Sequence, residues 1–407
     1  MAERPTLDTL VARLRAAGVL PVEWEKALRA APRHLFLPGR VWGEAIGSDG
    51  RDDDREHAYD RDLDEDAWLD AAYRDTPLTT QWDDTPGRAY RPGARSSSSS
   101  SMPTIVFGML QALDVRDGHR ILEIGTGTGW NAALLAARLG PSAVTSIEVD
   151  PVVAAQAAAN LDGAGSTPRL IVGDGTVELP GERFDRVIAT CAVYDVPPAW
   201  LTHTRPDGVI VVPWCPLFGG SGHVRLRVDE RGSATGRFVA QSAFMRARGQ
   251  RFFRPSHDLY LTSPWPADAD RSESTVSPAD VVNEWAGQFA VGVQLPGVWW
   301  SRETWNGGFT MWVYDAAVSS WASVDCWDDG RSAHEVYQSG PRRLWDEVVR
   351  ARTWWIGQGR PGVAEFALSV APDGAQVVSH PRTGSTWPVS PARSAIELGS
   401  HRRPEPA

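Results

Sequence analysis

Three groups of residues in this 407-residue chain have types and spacing suited to chemistry. The first is Glu123-x-Gly125-x-Gly127-x-Gly129, with Thr126 inside it and Trp130 directly after. Glycine has no Cβ, so the backbone can turn tightly there and lie against a ligand. The second is a pair of acids, Glu148 and Asp174, each after a short apolar run, with Asp174 followed by Gly175. In a doubly wound sheet an acid at the tip of the second strand grips ribose hydroxyls. The third is Ser96–Ser101 followed by Met102 and Pro103. A serine run is usually a flexible linker. This one leads into a helix, where serines can cap the first turn or offer hydroxyls to an anion. The chemistry indicated is the holding of a nucleoside-bearing ligand. A dinucleotide fingerprint would need a third glycine where Trp130 stands, which disfavours a nicotinamide oxidoreductase.

The elements that must position these residues alternate. Ile121–Ile124 reads as a buried strand, and Asn131–Leu139 as the helix whose free amides point at the turn. Val144–Asp150, Arg169–Val172, Arg186–Thr190 and Val209–Val212 read as further strands, and Val152–Leu161 as a helix. This pattern predicts an α/β, doubly wound, Rossmann-like parallel sheet with ligands at the strands' carboxyl ends. Val224–Val228 and Gly236–Phe244 read as a hairpin closing a domain of residues 1–250. Ahead of the sheet, Thr6 caps Leu7–Ala17, Pro21–Ala30 is helical, and His34 and Phe36 follow in an extended segment. A lone histidine there reads as structural. Residues 47–70 carry a dense run of acids that lacks the glycine and final glutamate of a calcium loop, so they read as a solvated surface insertion. Residues 83–95 form a Pro/Gly loop.

Arg246–Pro255 is basic and marks a boundary. Twelve of the nineteen tryptophans follow Pro255, which defines a second, α+β domain over 256–390 and a tail over 391–407. Tryptophans fill cores and also line peptide grooves. With 41 basic and 51 acidic residues, nucleic acid is not the expected partner. Cys191, Cys215 and Cys326 form no Cys-x-x-Cys pair, so neither a zinc site nor any other metal site is expected. The N-terminus has no signal-peptide core and no apolar run reaches membrane-spanning length. The expectation is a soluble cytoplasmic enzyme; the oligomeric state is open.

Glu123-x-Gly-x-Gly-x-Gly129 resembles the first motif of class I S-adenosylmethionine (SAM) methyltransferases, in which the acid lies near the cofactor's ammonium. On that resemblance Glu123, Gly125, Thr126, Gly127, Gly129, Glu148, Asp174 and Gly175 hold SAM, and the product is S-adenosylhomocysteine. Asp174 would accept from the adenine amino group. Ala31-Pro-Arg-His-Leu-Phe, Ala72-Tyr-Arg-Asp-Thr-Pro-Leu, Ser99-Ser-Ser-Met-Pro103, Glu123–Gly129, Glu148 and Gly173-Asp-Gly175 occur in the order of the protein-L-isoaspartate O-methyltransferases, which residues 7–246 resemble. A Thr-Ile-Ser-x-Pro segment in that family sets hydroxyls beside the transferred methyl. Ser99 and Ser101 take those positions and are implied as the catalytic pair.

Repair enzymes of the family end near the completed sheet, whereas this chain continues. Arg186-Val-Ile-Ala-Thr-Cys-Ala-Val, Pro-Pro-Ala-Trp200 and Ser339-Gly-Pro-Arg-Arg-Leu-Trp345 resemble the branch associated with ATP-grasp ribosomal peptide (graspetide) maturation. That branch methylates an aspartate in a modified peptide and promotes an aspartimide. The resemblance implies a carboxyl O-methyltransferase acting on such a peptide. The alternatives are general isoaspartyl repair, or a non-catalytic module that binds SAM and peptide. A nucleic-acid amino-methyltransferase is disfavoured, because Asp195-Val-Pro-Pro-Ala has an extra valine and no stacking residue after the prolines.

Overall fold

The computed structural model describes residues 5–44, 57–177, 179, 181–261, 266 and 269–389. The chain divides into two compact units. The first comprises Met1–Cys191, Pro197–Val212 and Arg227–Gly232; the second comprises Ala192–Val196, Pro213–Leu226 and Ser233–Ala407. The expected boundary near residue 250 and this division therefore differ.

The first unit begins with α1 (Leu7–Ala16) and α2 (Val22–Ala30). Thr6 caps α1 by accepting from the Thr9 amide at 3.2 Å, and Leu10, Val11 and Leu14 form its buried face. Next come β1 (Arg40–Gly43), β2 (His57–Asp60), α3 (Glu65–Ala72), β3 (Leu78–Trp82) and β4 (Ser96–Ser100). These strands form an antiparallel sheet in the order β2-β1-β3-β4. Its core is Leu37, Val41, Tyr59, Trp68, Ala71, Ala72 and Leu78.

Two expectations are corrected here. Residues 57–70 are not a solvated insertion: β2 pairs with β1, and α3, capped by Asp64, buries Trp68. The acids of 45–56 lie outside the described residues. The serine run, read as the entry to a helix, is a strand over Ser96–Ser100. Serine has little β preference of its own. Pairing with β3 and a ladder of hydroxyl bonds overrides that preference.

There follow α4 (Pro103–Leu113), β5 (Ile121–Ile124), α5 (Trp130–Leu139), β6 (Val144–Glu148), α6 (Pro151–Gly163), β7 (Arg169–Val172), β8 (Phe184–Ala189), α7 (Pro198–Thr202) and β9 (Thr204–Trp214). The strands run parallel in the order β9-β8-β5-β6-β7, as the alternating pattern predicts. Strand β5 is buried at all four residues, as the central strand of a parallel sheet must be. The strand order reverses at β5, and its carboxyl end is a topological switch point.

The second unit contains β10 (Gly222–Val228), β11 (Ala234–Gln241), β12 (Asp270–Ser274), α8 (Pro278–Val282), α9 (Trp285–Gln294), β13 (Val298–Trp305), β14 (Gly308–Asp315), β15 (Trp321–Trp327), β16 (His334–Ser339), α10 (Leu344–Gly357), β17 (Ala367–Val370), β18 (Gln376–His380) and β19 (Ser385–Val389). Strands β10 and β11 are neighbours, but β11 continues antiparallel into β17, β18 and β19. That partnership across more than a hundred residues explains why the hairpin groups with the later chain. A separate five-stranded antiparallel sheet, β12-β16-β15-β14-β13, has Met311, Val313, Val324 and Val336 in one core with α10 residues Trp345 and Val348. A second cluster joins Trp299, Trp312, Tyr314 and Trp321 to Tyr260. The expected tail falls outside the described residues. Among the described residues no helix is long and apolar enough to cross a membrane.

Candidate active site at the switch point

The glycine turn leaves β5 with positive φ at Gly125 (94°), Gly127 (56°) and Gly129 (86°). Each glycine has its own reason. A Cβ on Gly125 would stand 2.7 Å from Thr190 Oγ1, and one on Gly129 would meet Leu161 and the Ala157 carbonyl at 3.2–3.3 Å. A Cβ on Gly127 would have the Ser99 carbonyl at 3.6 Å as its neighbour. Strand β4 therefore passes beside the turn, and two motifs separated in sequence are brought together.

Glu148, buried at the end of β6, accepts from the Gly127 amide at 2.9 Å and the Asp150 amide at 3.1 Å. Asp150 in turn caps α6 through Val152 and accepts from Gln81 of β3 at 3.0 Å. Glu123 is fully buried beneath the turn. Its oxygens are taken by Asn131 at 2.7 Å and by the Ser146 hydroxyl, which itself pairs with Thr126 at 2.6 Å. Desolvation pushes the Glu123 carboxyl up to about 7, against the pull of the Ser146 and Asn131 hydrogen bonds and with help from the Glu148 charge. Glu123 therefore braces the turn from within the protein.

The Gly173 amide donates to the Glu148 carbonyl at 2.9 Å, which sets the ends of β6 and β7 side by side. Asp174 Oδ1 turns inward to the Thr176 amide and hydroxyl at 2.9 and 2.7 Å. Gly175 packs on Ile124, where a Cβ would stand 2.9 Å from Cγ2, and its carbonyl accepts from Trp200 Nε1 at 2.7 Å. A Cβ on Gly173 would meet nothing within 4 Å. The strand ends thus set glycine backbone at Gly127, the Glu148 carboxylate and the open side of Gly173 close together, which suits a nucleoside-bearing cofactor.

The serines of β4 divide by what their hydroxyls do. Ser96 pairs with Thr79 at 3.2 Å, and Ser97 donates to Gln81 at 2.8 Å. Ser98 accepts from Thr80 at 3.1 Å and Ser100 from Arg33 Nε at 2.9 Å. The Ser99 and Ser101 hydroxyls bond to nothing among the described residues, and both serines are half-buried.

Sequence reasoning passed over the residue that holds this segment in place. Arg33, wholly buried, donates to the Ser100 and Ser101 carbonyls at 2.9 and 3.1 Å. It also donates to the Ala72, Arg74 and Thr76 carbonyls at 3.0–3.3 Å, and its guanidinium lies 5.5 Å from the Trp130 ring. Burial lowers its affinity for the proton to about 9, opposed by the charge of Asp75. Asp75 itself accepts from the Thr104 amide at 2.8 Å and so caps α4 directly after the serines. The available signal is the Pro-Arg-His of residues 32–34, whose His34 pairs with Tyr73 at 2.5 Å. Asn131 and Ser146 carried no motif.

The comparisons with known proteins agree with this geometry. The protein-L-isoaspartate(D-aspartate) O-methyltransferase (PCMT) family matches residues 54–244. Protein-L-isoaspartate O-methyltransferase 2 of Archaeoglobus fulgidus is 29% identical over 252 residues, 61% of this chain and 94% of the relative. The Korarchaeum cryptofilum enzyme is 32% identical over 196 residues, 45% of this chain and 81% of the relative. That of Methylorubrum extorquens is 32% identical over 225 residues, 55% and 76% of the two chains. These matches, joined to a SAM-type glycine turn at the switch point of a parallel sheet, establish that the chain belongs to the protein-L-isoaspartate(D-aspartate) O-methyltransferase family of SAM-dependent methyltransferases.

Proposed function

We propose that the chain methylates the free carboxylate of a peptide residue, the side-chain carboxylate of an aspartate or the α-carboxylate of an isoaspartate, and that its dedicated substrate is an aspartate in a ribosomally made, ATP-grasp-modified peptide. The observation that carries the reading is the pair of uncommitted hydroxyls, Ser99 and Ser101, on a strand whose backbone lies against Gly127. Gly125, Thr126, Gly127, Gly129, Glu148, Asp174 and Gly175 would hold SAM, with Glu123 bracing them. When bound, SAM supplies an electrophilic methyl group that a carboxylate oxygen can take directly. A carboxylate is ionised at neutral pH, so the protein need supply no general base. What remains is alignment and exclusion of water. The Ser99 and Ser101 hydroxyls, pinned by Arg33 through the adjoining carbonyls, would orient the anion.

Esterification makes the carbonyl a better electrophile. The neighbouring backbone nitrogen then attacks it, methanol leaves, and a five-membered succinimide closes. From isoaspartate this leads to repair; from aspartate in a constrained peptide it leads to a backbone modification. The 163 residues after the family match, with their tryptophan-rich sheet, favour the second reading. We place that sheet in peptide recognition and the enzyme in the cytoplasm. Replacing Ser99 and Ser101 together by alanine should lower turnover at least ~100-fold, the order seen for groups acting on the reacting centre. SAM affinity, read by calorimetry, should stay within about twofold, since neither serine is needed to hold the cofactor. Unchanged turnover, or lost SAM affinity, would remove the assigned role.

A further inference from the structure

Gln81, on β3, is buried, and both ends of its side-chain amide are committed within the first unit. Its Oε1 accepts from the Ser97 hydroxyl on β4 at 2.8 Å, and its Nε2 donates to Asp150 Oδ2, just ahead of α6, at 3.0 Å. Reversed, the amide would set its carbonyl against the Asp150 carboxylate, which as an ion only accepts, so its orientation is fixed. The Asp150 amide donates in turn to Glu148 Oε1 at 3.1 Å, and Glu148 Oε2 accepts from the Gly127 amide at 2.9 Å. One chain of hydrogen bonds therefore runs from the serine strand to the acid at the tip of β6 and on to the glycine turn. Gln81, Asp150 and Glu148 are all buried, so the bonds are strong and a missing partner is costly.

The pairing of β3 with β4 is irregular at this residue. Thr79 stands opposite Ser99, Gln81 opposite Ser98 and Trp82 opposite Ser96, so β3 takes an extra residue before Gln81 and β4 takes one after it. Bulges of this kind kink a strand and re-aim a side chain, and they are common beside active sites. The kink sets Gln81 one step along the ladder from the Thr79–Ser99 pair. The close approach of the Ser99 carbonyl to Gly127 limits how near strand and turn can come. The glutamine fixes how they are aimed.

We infer that Gln81 is a positioning residue for methyl transfer: its one amide holds the serine strand and the acid that would grip the SAM ribose in a common frame, so that the Ser99 hydroxyl and the methyl group meet at a fixed separation. This rests on the roles proposed for Ser99 and Glu148. Gln81 itself touches neither substrate nor cofactor. Its effect is on alignment, where a displacement of about 1 Å from a change away from the chemistry can cost ~100-fold in rate.

The test uses the full chain, methyl-labelled SAM and an isoaspartyl decapeptide, with SAM affinity read separately by calorimetry. Gln81→Met keeps the length of the side chain and removes both bonds. It should lower kcat about 30-fold while SAM binding weakens less than about threefold, because Glu148 is still present. Gln81→Glu adds a reading that needs no turnover. At pH 8 its carboxylate faces that of Asp150 and the two repel; at pH 6 a shared proton restores both bonds, the acid hydroxyl donating to Asp150 and its carbonyl accepting from Ser97. The SAM affinity of Gln81→Glu relative to the parent should therefore rise at least about threefold from pH 8 to pH 6. Taking the ratio cancels the titration of Glu123 and Glu148, which both proteins share. A parent-like kcat in Gln81→Met, a rate loss wholly explained by lost SAM affinity, or a flat ratio for Gln81→Glu would each overturn the role. An inactive double serine variant beside a parent-like Gln81→Met refutes the link alone. A parent-like double serine variant refutes the serine assignment beneath it.

Discussion

Strands β4 and β14 are both antiparallel strands, and they are held in opposite ways. Strand β14 reads Gly-Phe-Thr-Met-Trp-Val-Tyr-Asp; Met311 and Val313 vanish into one core while Trp312 and Tyr314 fill another. Strand β4 is five serines, and it stays in place through hydroxyl bonds to β3 and the six donations of one buried guanidinium. Packing fixes a strand loosely along its surface, whereas hydrogen bonds fix atoms. A segment that must aim two hydroxyls benefits from the second kind of support, and the cost is a core that tolerates no loss of a partner.

The largest expected effect follows from that cost. Arg33→Met strands five carbonyls and the Ser100 hydroxyl inside the protein, and should destabilise the fold by about 3–5 kcal/mol, as breaking a buried charged network does. Denaturant melts read the loss; a change under about 1 kcal/mol would show that the serine strand stands without its clamp.

Glu123 comes next. Its carboxyl is raised to about 7 in the folded chain, from an ordinary 4.5. Between those values the folded protein keeps a proton that the unfolded chain has lost, so stability falls as pH rises through the window. Glu123→Gln removes that slope. From about pH 5 to 8 the difference should move in the variant's favour by on the order of 3 kcal/mol. Parallel melting curves at every pH would refute the shift.

The smallest effect belongs to β14. Val313→Ala should cost about 2 kcal/mol, from lost burial and a small cavity, and leave SAM affinity unmoved. A stability loss from Val313→Ala as large as that of Arg33→Met would erase the distinction between the two kinds of strand.

What the sequence disclosed follows the same line. Gly125, Gly127 and Gly129 were legible because their positive φ values are local backbone requirements written as residue type. Of the parallel strands, β9 is the plainest case: burial of Val209, Ile210, Val211 and Val212 leaves an unbroken apolar run. Strand β4 was hidden because its partner β3 supplies what serine lacks. Helix α9 carries two glycines, Gly287 and Gly292, for a reason of packing: a Cβ at either would press on Trp355 or Pro216. Those glycines serve close packing, which only the tertiary structure reveals. Nothing local marks Arg33, because its six acceptors come from residues 72–76 and 100–101.

The most direct test is mass spectrometry of the purified chain with SAM and two substrates, an isoaspartyl peptide and an ATP-grasp-modified peptide containing aspartate. The account predicts that the modified peptide gains a methyl group and then loses methanol, while the isoaspartyl peptide is turned over poorly. Turnover of the isoaspartyl peptide alone would make this a repair enzyme with an extension of other purpose. Methyl transfer to neither would contradict the carboxylate chemistry assigned to Ser99 and Ser101.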